Sequence, residues 1–81
     1  MITNMYELLA YIDRTGANPN WTGPNTRGEM SKMLKDTFGE RVYDLWQEAN
    51  RSGFVRKGRL WGFCLTRKGY DEFFRLRDVH G

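Results

Sequence analysis

Residues 26–54 read TRGEMSKMLKDTFGERVYDLWQEANRSGF and predict two short amphipathic helices joined by a tight corner. Thr26 and Glu29 are spaced as a capping box, in which the threonine hydroxyl accepts the backbone N–H of Glu29 and the carboxylate reaches back. Apolar side chains then recur at helical spacing in two sets: Met30, Met33 and Leu34, followed by Val42, Leu45, Trp46 and Ala49. The first set breaks near Gly39, and Ser52-Gly53 stops the second helix. The stretch therefore predicts a helix-turn-helix.

The residues before this unit predict one helix and one loop. A stripe at helical spacing (Met5, Leu8, Leu9, Ile12) marks the helix, for which Thr3 is the predicted cap and Gly16 the stop. Prolines, glycines and asparagines exclude helix from residues 16–25. Within that loop, Trp21 is predicted to be a lid on the core.

The residues after the unit predict a hairpin and a last helix. Residues 54–56 and 60–65 have the pattern of two strands around Lys57-Gly58, where glycine suits a turn residue with positive φ. Thr66 is placed to cap a final helix, and residues 78–81 are predicted to be a frayed tail. The predicted order is helix, loop, helix, helix, strand, strand, helix.

This order of motifs resembles that of winged helix-turn-helix regulators of the MarR type. The T-x-x-E-L-A-x-x-L opening of that family is matched by Thr26, Glu29, Met30, Ser31 and Leu34, and its G-L-I entry to the wing by Gly53-Phe54-Val55. Its L-T-x-K-G exit from the wing is similar to Leu65-Thr66-Arg67-Lys68-Gly69. The resemblance covers roughly residues 26–74. It implies an α+β fold with a three-helix core, a two-stranded wing and a C-terminal helix, and a very short first strand at Trp21-Thr22 that pairs with the wing. The length of 81 residues predicts a single domain over residues 1–81.

The match is incomplete in three places. The corner between Leu34 and Val42 is one residue longer than in the family, and the wing is short. The sequence also has no counterpart of the long terminal helices that join the larger relatives as dimers.

Charge is distributed unevenly along the 81 residues. The net charge is +3, but residues 1–50 carry five Lys or Arg against seven Asp or Glu, whereas residues 51–81 carry eight against three. A basic C-terminal part is a partial electrostatic signature of nucleic-acid binding, and it also fits an acidic protein partner. No apolar run approaches the ~20 residues of a membrane span, and the N-terminus lacks a basic signal-peptide region. We therefore expect a cytoplasmic protein without a membrane partner.

The residue types needed for catalysis are not grouped in the sequence. The single histidine, His80, lies one residue from the C-terminus, and the single cysteine, Cys64, has no nearby histidine or cysteine. The carboxylates are spread over helix surfaces, and the glycines form no phosphate-binding loop. We therefore expect a non-enzyme with no cofactor and no metal.

The resemblance implies DNA contacts on the second helix of the motif and on the wing. Arg41 and Gln47 suit guanine and adenine edges, Tyr43 a phosphate or thymine methyl group, and Asp44 the cytosine amino group. The wing crowds three cations that would repel one another unless they are solvated or face a polyanion. The full set of predicted DNA-binding residues is Arg27, Arg41, Tyr43, Asp44, Gln47, Arg51, Arg56, Lys57 and Arg59.

The sequence supports two functions of different classes. The first is sequence-specific binding of double-stranded DNA by a small transcriptional regulator that dimerises through Tyr6, Tyr11, Phe73 or Phe74. The alternative is a protein-interaction module on the same fold, such as a phage- or plasmid-type effector that binds a host protein. Glu40, Asp44 and Glu48 keep the alternative open, because they oppose a phosphate-binding surface. RNA binding would need an exposed aromatic platform, for which the sequence offers only Trp61.

Overall fold

The computed structural model describes residues 1–80, without the side chain of His80, and has an α+β architecture. Four helices and one two-stranded antiparallel sheet follow one another in the order of a small winged helix. Their bounds are α1 Met5–Gly16, α2 Arg27–Phe38, α3 Glu40–Arg51, β1 Val55–Lys57, β2 Phe63–Leu65 and α4 Arg67–His80. The frayed tail predicted from Asp78 is wrong, because α4 continues through His80, while Gly81 lies outside the described residues. Within residues 1–80, no helix has both the length and the apolar character to cross a membrane.

The core is centred on Trp46, which is 1% exposed. Its ring meets Phe63 of β2 edge to face, with 5.3 Å between ring centroids, and its indole N–H donates to Ser31 Oγ of α2 at 2.7 Å. A tryptophan in a core needs both apolar contact and a partner for its N–H. Trp46 was predicted to be buried between the two helices of the motif and the last helix. Its burial is confirmed, and the contacts named here come from α2 and β2.

The apolar stripes of all three core helices point inward. The buried residues they contribute are Leu8, Leu9 and Ile12 from α1, Met30 and Leu34 from α2, and Val42, Trp46 and Ala49 from α3. Leu45 and Met33 are half-buried and pack against this cluster. The predicted helix phases are therefore confirmed.

The N-terminal caps differ in part from the predictions. Asn4 caps α1, since its Oδ1 accepts the backbone N–H of Glu7 at 2.9 Å, so the predicted cap at Thr3 is wrong by one residue. Thr26 caps α2 as predicted, accepting the N–H of Glu29 at 3.2 Å. The Glu29 carboxylate accepts the Thr26 hydroxyl at 2.8 Å rather than reaching a backbone N–H.

A single residue, Gly39, forms the corner between α2 and α3. It has φ 100° and ψ 175°, and its N–H donates to the carbonyl of Lys35 while its own carbonyl accepts from Tyr43. This region of backbone space is open essentially to glycine alone. A Cβ at this position would meet no atom within 4 Å, so the requirement for glycine comes from the backbone and not from packing.

The wing is a hairpin with a five-residue loop. Val55 pairs with Leu65, Arg56 with Cys64 and Lys57 with Phe63. The first strand therefore lies one residue later than predicted, and the second is three residues shorter than predicted. The N–H of Gly58 donates to the carbonyl of Gly62 at 2.8 Å, and the positive φ of the loop falls at Gly62. The predicted turn at Lys57-Gly58 is therefore wrong, because the chain reverses over residues 58–62.

The predicted strand at Trp21-Thr22 is absent, since residues 17–26 contain no strand. A side chain contacts the wing loop instead: Asn25 Oδ1 accepts the backbone N–H of Gly62 at 2.6 Å. Gly16 lies against β2 so closely that a Cβ there would come within 2.2 Å of the Phe63 carbonyl oxygen. Trp21 is half-buried beside Gly62 and packs against the core as predicted.

The last helix closes the fold against α1. Phe73 stacks on Tyr6 with their centroids 5.2 Å apart, and the Tyr70 hydroxyl donates to Asp13 Oδ1 at 2.6 Å. This hydrogen bond, together with burial, raises the pKa of Tyr70 to about 12. Two of the four aromatic residues expected at a dimer interface, Tyr6 and Phe73, thus contact each other within one chain.

Candidate nucleic-acid interface

The outward side of α3 is a mixed polar row. Because Val42, Trp46 and Ala49 are buried, helix geometry turns Glu40, Asp44, Gln47 and Arg51 to the opposite side. Three of these four are exposed and Gln47 is half-buried. We call these four residues the outward row of α3. It carries one cation, two carboxylates and one amide.

Tyr43 and Gln47 form a pair at one edge of the outward row. The Gln47 amide donates to the Tyr43 hydroxyl at 3.0 Å, and Lys35 Nζ lies over the Tyr43 ring, 5.5 Å from its centroid. One amide hydrogen and the carbonyl oxygen of Gln47 are not used in this contact. Those are the two groups that read an adenine edge, and Tyr43 fixes the orientation of the amide that carries them.

Arg41 lies at the other edge of α3, apart from the outward row. Its Nε donates to the backbone carbonyl of Thr3 at 3.1 Å, which holds the side chain against the segment before α1. Arg41 and Gln47 were predicted to contact DNA bases from one face of α3. The structure instead places them at different edges of this helix. The cause is a contact between residues 38 positions apart in sequence.

The two strands of the wing divide its cations between two faces. Side chains alternate along a strand, and directly opposite residues share a face. Lys57 is paired with Phe63, whose side chain is in the core, whereas Arg56 is paired with Cys64 on the other face. Arg59 follows in the exposed loop. The three wing cations predicted as one group thus separate.

A second group of cations comprises the first residue of α2, the last residue of α3 and the last residue of β1. The Arg27 Nε donates to Asn50 Oδ1 of α3 at 2.9 Å, and its guanidinium lies 5.8 Å from the centroid of the Phe63 ring. Lys57 is the cross-strand partner of Phe63, and Arg51 follows Asn50 in the chain. We call Arg27, Arg51 and Lys57 the basic cluster.

The salt bridges of the described residues do not involve the basic cluster or the arginines of the wing. The salt bridges join Lys32 to Asp36, Lys35 to Glu40 and Arg75 to Glu72. Among the described residues, no carboxylate lies within 4 Å of the cationic groups of the basic cluster, or of Arg56 and Arg59. Five of the predicted DNA-binding cations are therefore not neutralised within the chain.

Asn50 was not predicted as part of the interface. It orients Arg27 and is itself anchored, because its amide donates to the carbonyl of Trp46 at 2.8 Å. Its position next to Ala49, at the edge of the buried stripe, is the signal that sequence reasoning could have used. The contact with Arg27 joins residues 23 positions apart, so no local sequence pattern predicts it.

Comparisons with protein-family models, with curated proteins and with solved structures found no significant match to this chain.

Proposed function

We propose that this chain binds double-stranded DNA as a small winged-helix transcriptional regulator of the MarR type. The observation that carries the proposal is the basic cluster, whose three cations lie on α2, α3 and β1 and have no carboxylate partner among the described residues. Phosphate contacts supply most of the affinity of DNA-binding proteins, and unneutralised cations on a rigid scaffold are suited to them. The link from fold to function rests on analogy, so the site residues carry the argument.

In this proposal Asp44 and Gln47 of the outward row face a major groove. The basic cluster, including Arg51 at the end of that row, lies on the adjacent phosphates. Gln47 offers its amide to adenine, and Asp44 accepts from a cytosine amino group. The start of α2 adds backbone N–H groups beside Arg27, which also suit a phosphate. Glu40, already paired with Lys35 at 3.4 Å, adds less repulsion toward the phosphates than an unpaired carboxylate would.

A titration of labelled random duplex at several salt concentrations tests the proposal. Arg27→Ala and Lys57→Ala should each weaken binding to every sequence and flatten the plot of log affinity against log salt by about one unit. Gln47→Ala should instead reduce preference among sequences, at ~1–3 kcal/mol for a well-made contact. Lys32→Ala is the matched control, because it removes one positive charge from α2 at a side chain that is already paired with Asp36. Absence of binding at low salt would refute the proposal.

A protein-interaction module is the second candidate, favoured by the carboxylates of α3. Asp44 and Glu48 are exposed and take part in no salt bridge among the described residues, so a basic protein surface would complement them. This candidate predicts negligible duplex affinity at low salt and loss of partner capture in Asp44→Ala. Arg27→Ala would then leave partner capture unchanged.

We further propose that the chain works in the cytoplasm and as a homodimer. Two-fold pairing would lengthen the short DNA site that one winged helix reads. Of the residues considered for the interface, Phe74 is the one that stands out from the surface, with 45% of its area exposed. The exposed Val79 lies further along α4.

A further inference from the structure

The indole N–H of Trp61 is an unused hydrogen-bond donor. It is shielded from solvent and has no acceptor among the described residues. The other two tryptophans differ, since Trp21 donates to the Pro24 carbonyl at 3.3 Å and Trp46 donates to Ser31. Buried donors in folded proteins are nearly always paired, so an orphaned one points to a partner from outside the chain.

A pocket of about 190 Å³ lies between the wing and the end of α1, and Trp61 is one of its lining residues. Trp61 shares the lining with Gly16, Cys64 and two arginines, Arg56 and Arg59. We call it the wing pocket. Because Arg56 is paired with Cys64, the pocket opens on the face of the wing that is turned away from the basic cluster. It is therefore separate from the surface proposed above for the major groove.

Both guanidinium groups of the wing pocket are available to a ligand. Neither has a carboxylate within 4 Å among the described residues, and Arg56 donates only weakly to the Lys57 carbonyl, at 3.4 Å. A guanidinium presents a planar fork of N–H groups that matches two oxygens of a phosphate. Two such forks and one indole N–H supply donors for several oxygens of one tetrahedral anion.

Negative groups on the helix side of the pocket restrict where an anion binds. Gly16 is the last residue of α1, whose C-terminal end carries partial negative charge. Asp13, one turn earlier, is engaged by the Tyr70 hydroxyl. An anion is therefore expected on the wing side of the pocket, against the two arginines. Because the indole N–H is shielded from solvent, the side chains around it must move before an anion can reach it. Leu60, which also lines the pocket, is 80% exposed.

We propose that the wing pocket binds a phosphate group through Arg56, Arg59 and the indole N–H of Trp61. Two sources share this chemistry: the backbone of a DNA strand that passes the wing, or a small phosphorylated molecule. With the first source the inference rests on the proposed DNA-binding function. With the second source it stands without that function.

Nuclear magnetic resonance of the three indole N–H groups tests the proposal in the intact chain. We expect the Trp61 signal, assigned from its loss in Trp61→Phe, to shift when inorganic phosphate or random duplex is added. The signals of Trp21 and Trp46 should stay in place, because their donors are already paired. Arg56→Gln and Arg59→Gln should abolish the shift. Arg67→Gln, an equal change of charge at an exposed residue of α4, should preserve it.

Each pattern of results decides a different point. A shift with duplex identifies the strand as a source, and a shift with phosphate alone identifies a small phosphorylated ligand. In the first case Trp61→Phe should also weaken duplex binding about tenfold, the effect of losing one hydrogen bond to a charged group. A Trp61 signal that neither titrant moves would overturn the proposal, even if gel shifts showed DNA binding and so upheld the proposed function. A shift that sodium chloride reproduces at equal ionic strength, or that both arginine variants retain, would overturn it as well.

Discussion

Replacing Gly39 with alanine isolates the contribution of one backbone conformation to this fold. The residue holds φ 100° and ψ 175° at the corner of α2 and α3, and the added methyl group would touch nothing within 4 Å. Strain in such a conformation costs of order 1–3 kcal/mol for a residue other than glycine. The lower entropy of the unfolded chain returns about 0.4–1 kcal/mol. We expect a net loss of about 1–2 kcal/mol, which lowers the melting temperature of a domain this size by roughly 5–15 °C.

Two matched variants separate backbone strain from other effects of the added methyl group. Gly28→Ala makes the same chemical change in the first turn of α2, also with no atom within 4 Å, and should raise stability by up to ~1 kcal/mol. D-Alanine at position 39, placed by chemical synthesis, favours positive φ and should not destabilise.

Thermal unfolding followed by circular dichroism gives the measurement for all three variants. The reasoning predicts opposite signs for the two L-alanine substitutions, although both occur at glycines with open space around them. A Gly39→Ala protein that melts at or above the wild-type temperature would show that the corner does not require this conformation. Equal losses for L- and D-alanine would point to sterics rather than to strain.

Three further predictions concern the core, the junction of α1 with α4, and association. Trp46→Ala should lower the free energy of unfolding by ~3–5 kcal/mol, and Ser31→Ala should lower it by about 1–3 kcal/mol because the indole N–H of Trp46 loses its acceptor. Denaturant unfolding measures both values. Wild-type stability in either variant would contradict the packing described. Tyr70 holds its proton more tightly when folded, with a pKa of about 12 against 10.0, so its bond to Asp13 contributes fully below pH 10 and is lost as the pH rises through 12. The stability gap between wild type and Tyr70→Phe should therefore close over that interval, and a constant gap would refute the assignment. Light scattering at high micromolar concentration should give a dimer for the wild type and a monomer for Phe74→Glu, whereas a wild-type monomer with and without DNA would exclude the proposed dimer.

The helices and their buried faces could be predicted because their determinants are local. The spacing of Val42, Trp46 and Ala49 sets the phase of α3 whatever else the chain does. Thr26 likewise caps α2 through an atom three residues away. Even so, two neighbouring residues of similar chemistry, Thr3 and Asn4, compete for the cap of α1, and local pattern did not choose correctly between them.

The candidate site could be predicted only as a list of residues. Its grouping depends on contacts between distant positions, such as Arg41 with Thr3 and Asn25 with Gly62, which are 38 and 37 residues apart. A strand at Trp21 was expected because the resemblance supplies one there. In the structure the side chain of Asn25 accepts the backbone N–H of Gly62 where a strand was expected to pair. No periodic sequence pattern predicts such a contact.

The alternation of Arg56 and Lys57 across the wing bears on how such a chain can diverge. The start of β1 is anchored to α3, because the N–H of Phe54 donates to the carbonyl of Ala49 at 2.9 Å. Insertions and deletions in the 58–62 loop therefore change the reach of the wing but leave Arg56 and Lys57 each on its own face. One residue gained between Phe54 and Arg56 would exchange the two faces, since strand parity is two. A change in loop length can thus alter the wing pocket while Arg56 and Lys57 keep their faces, whereas an insertion between Phe54 and Arg56 cannot.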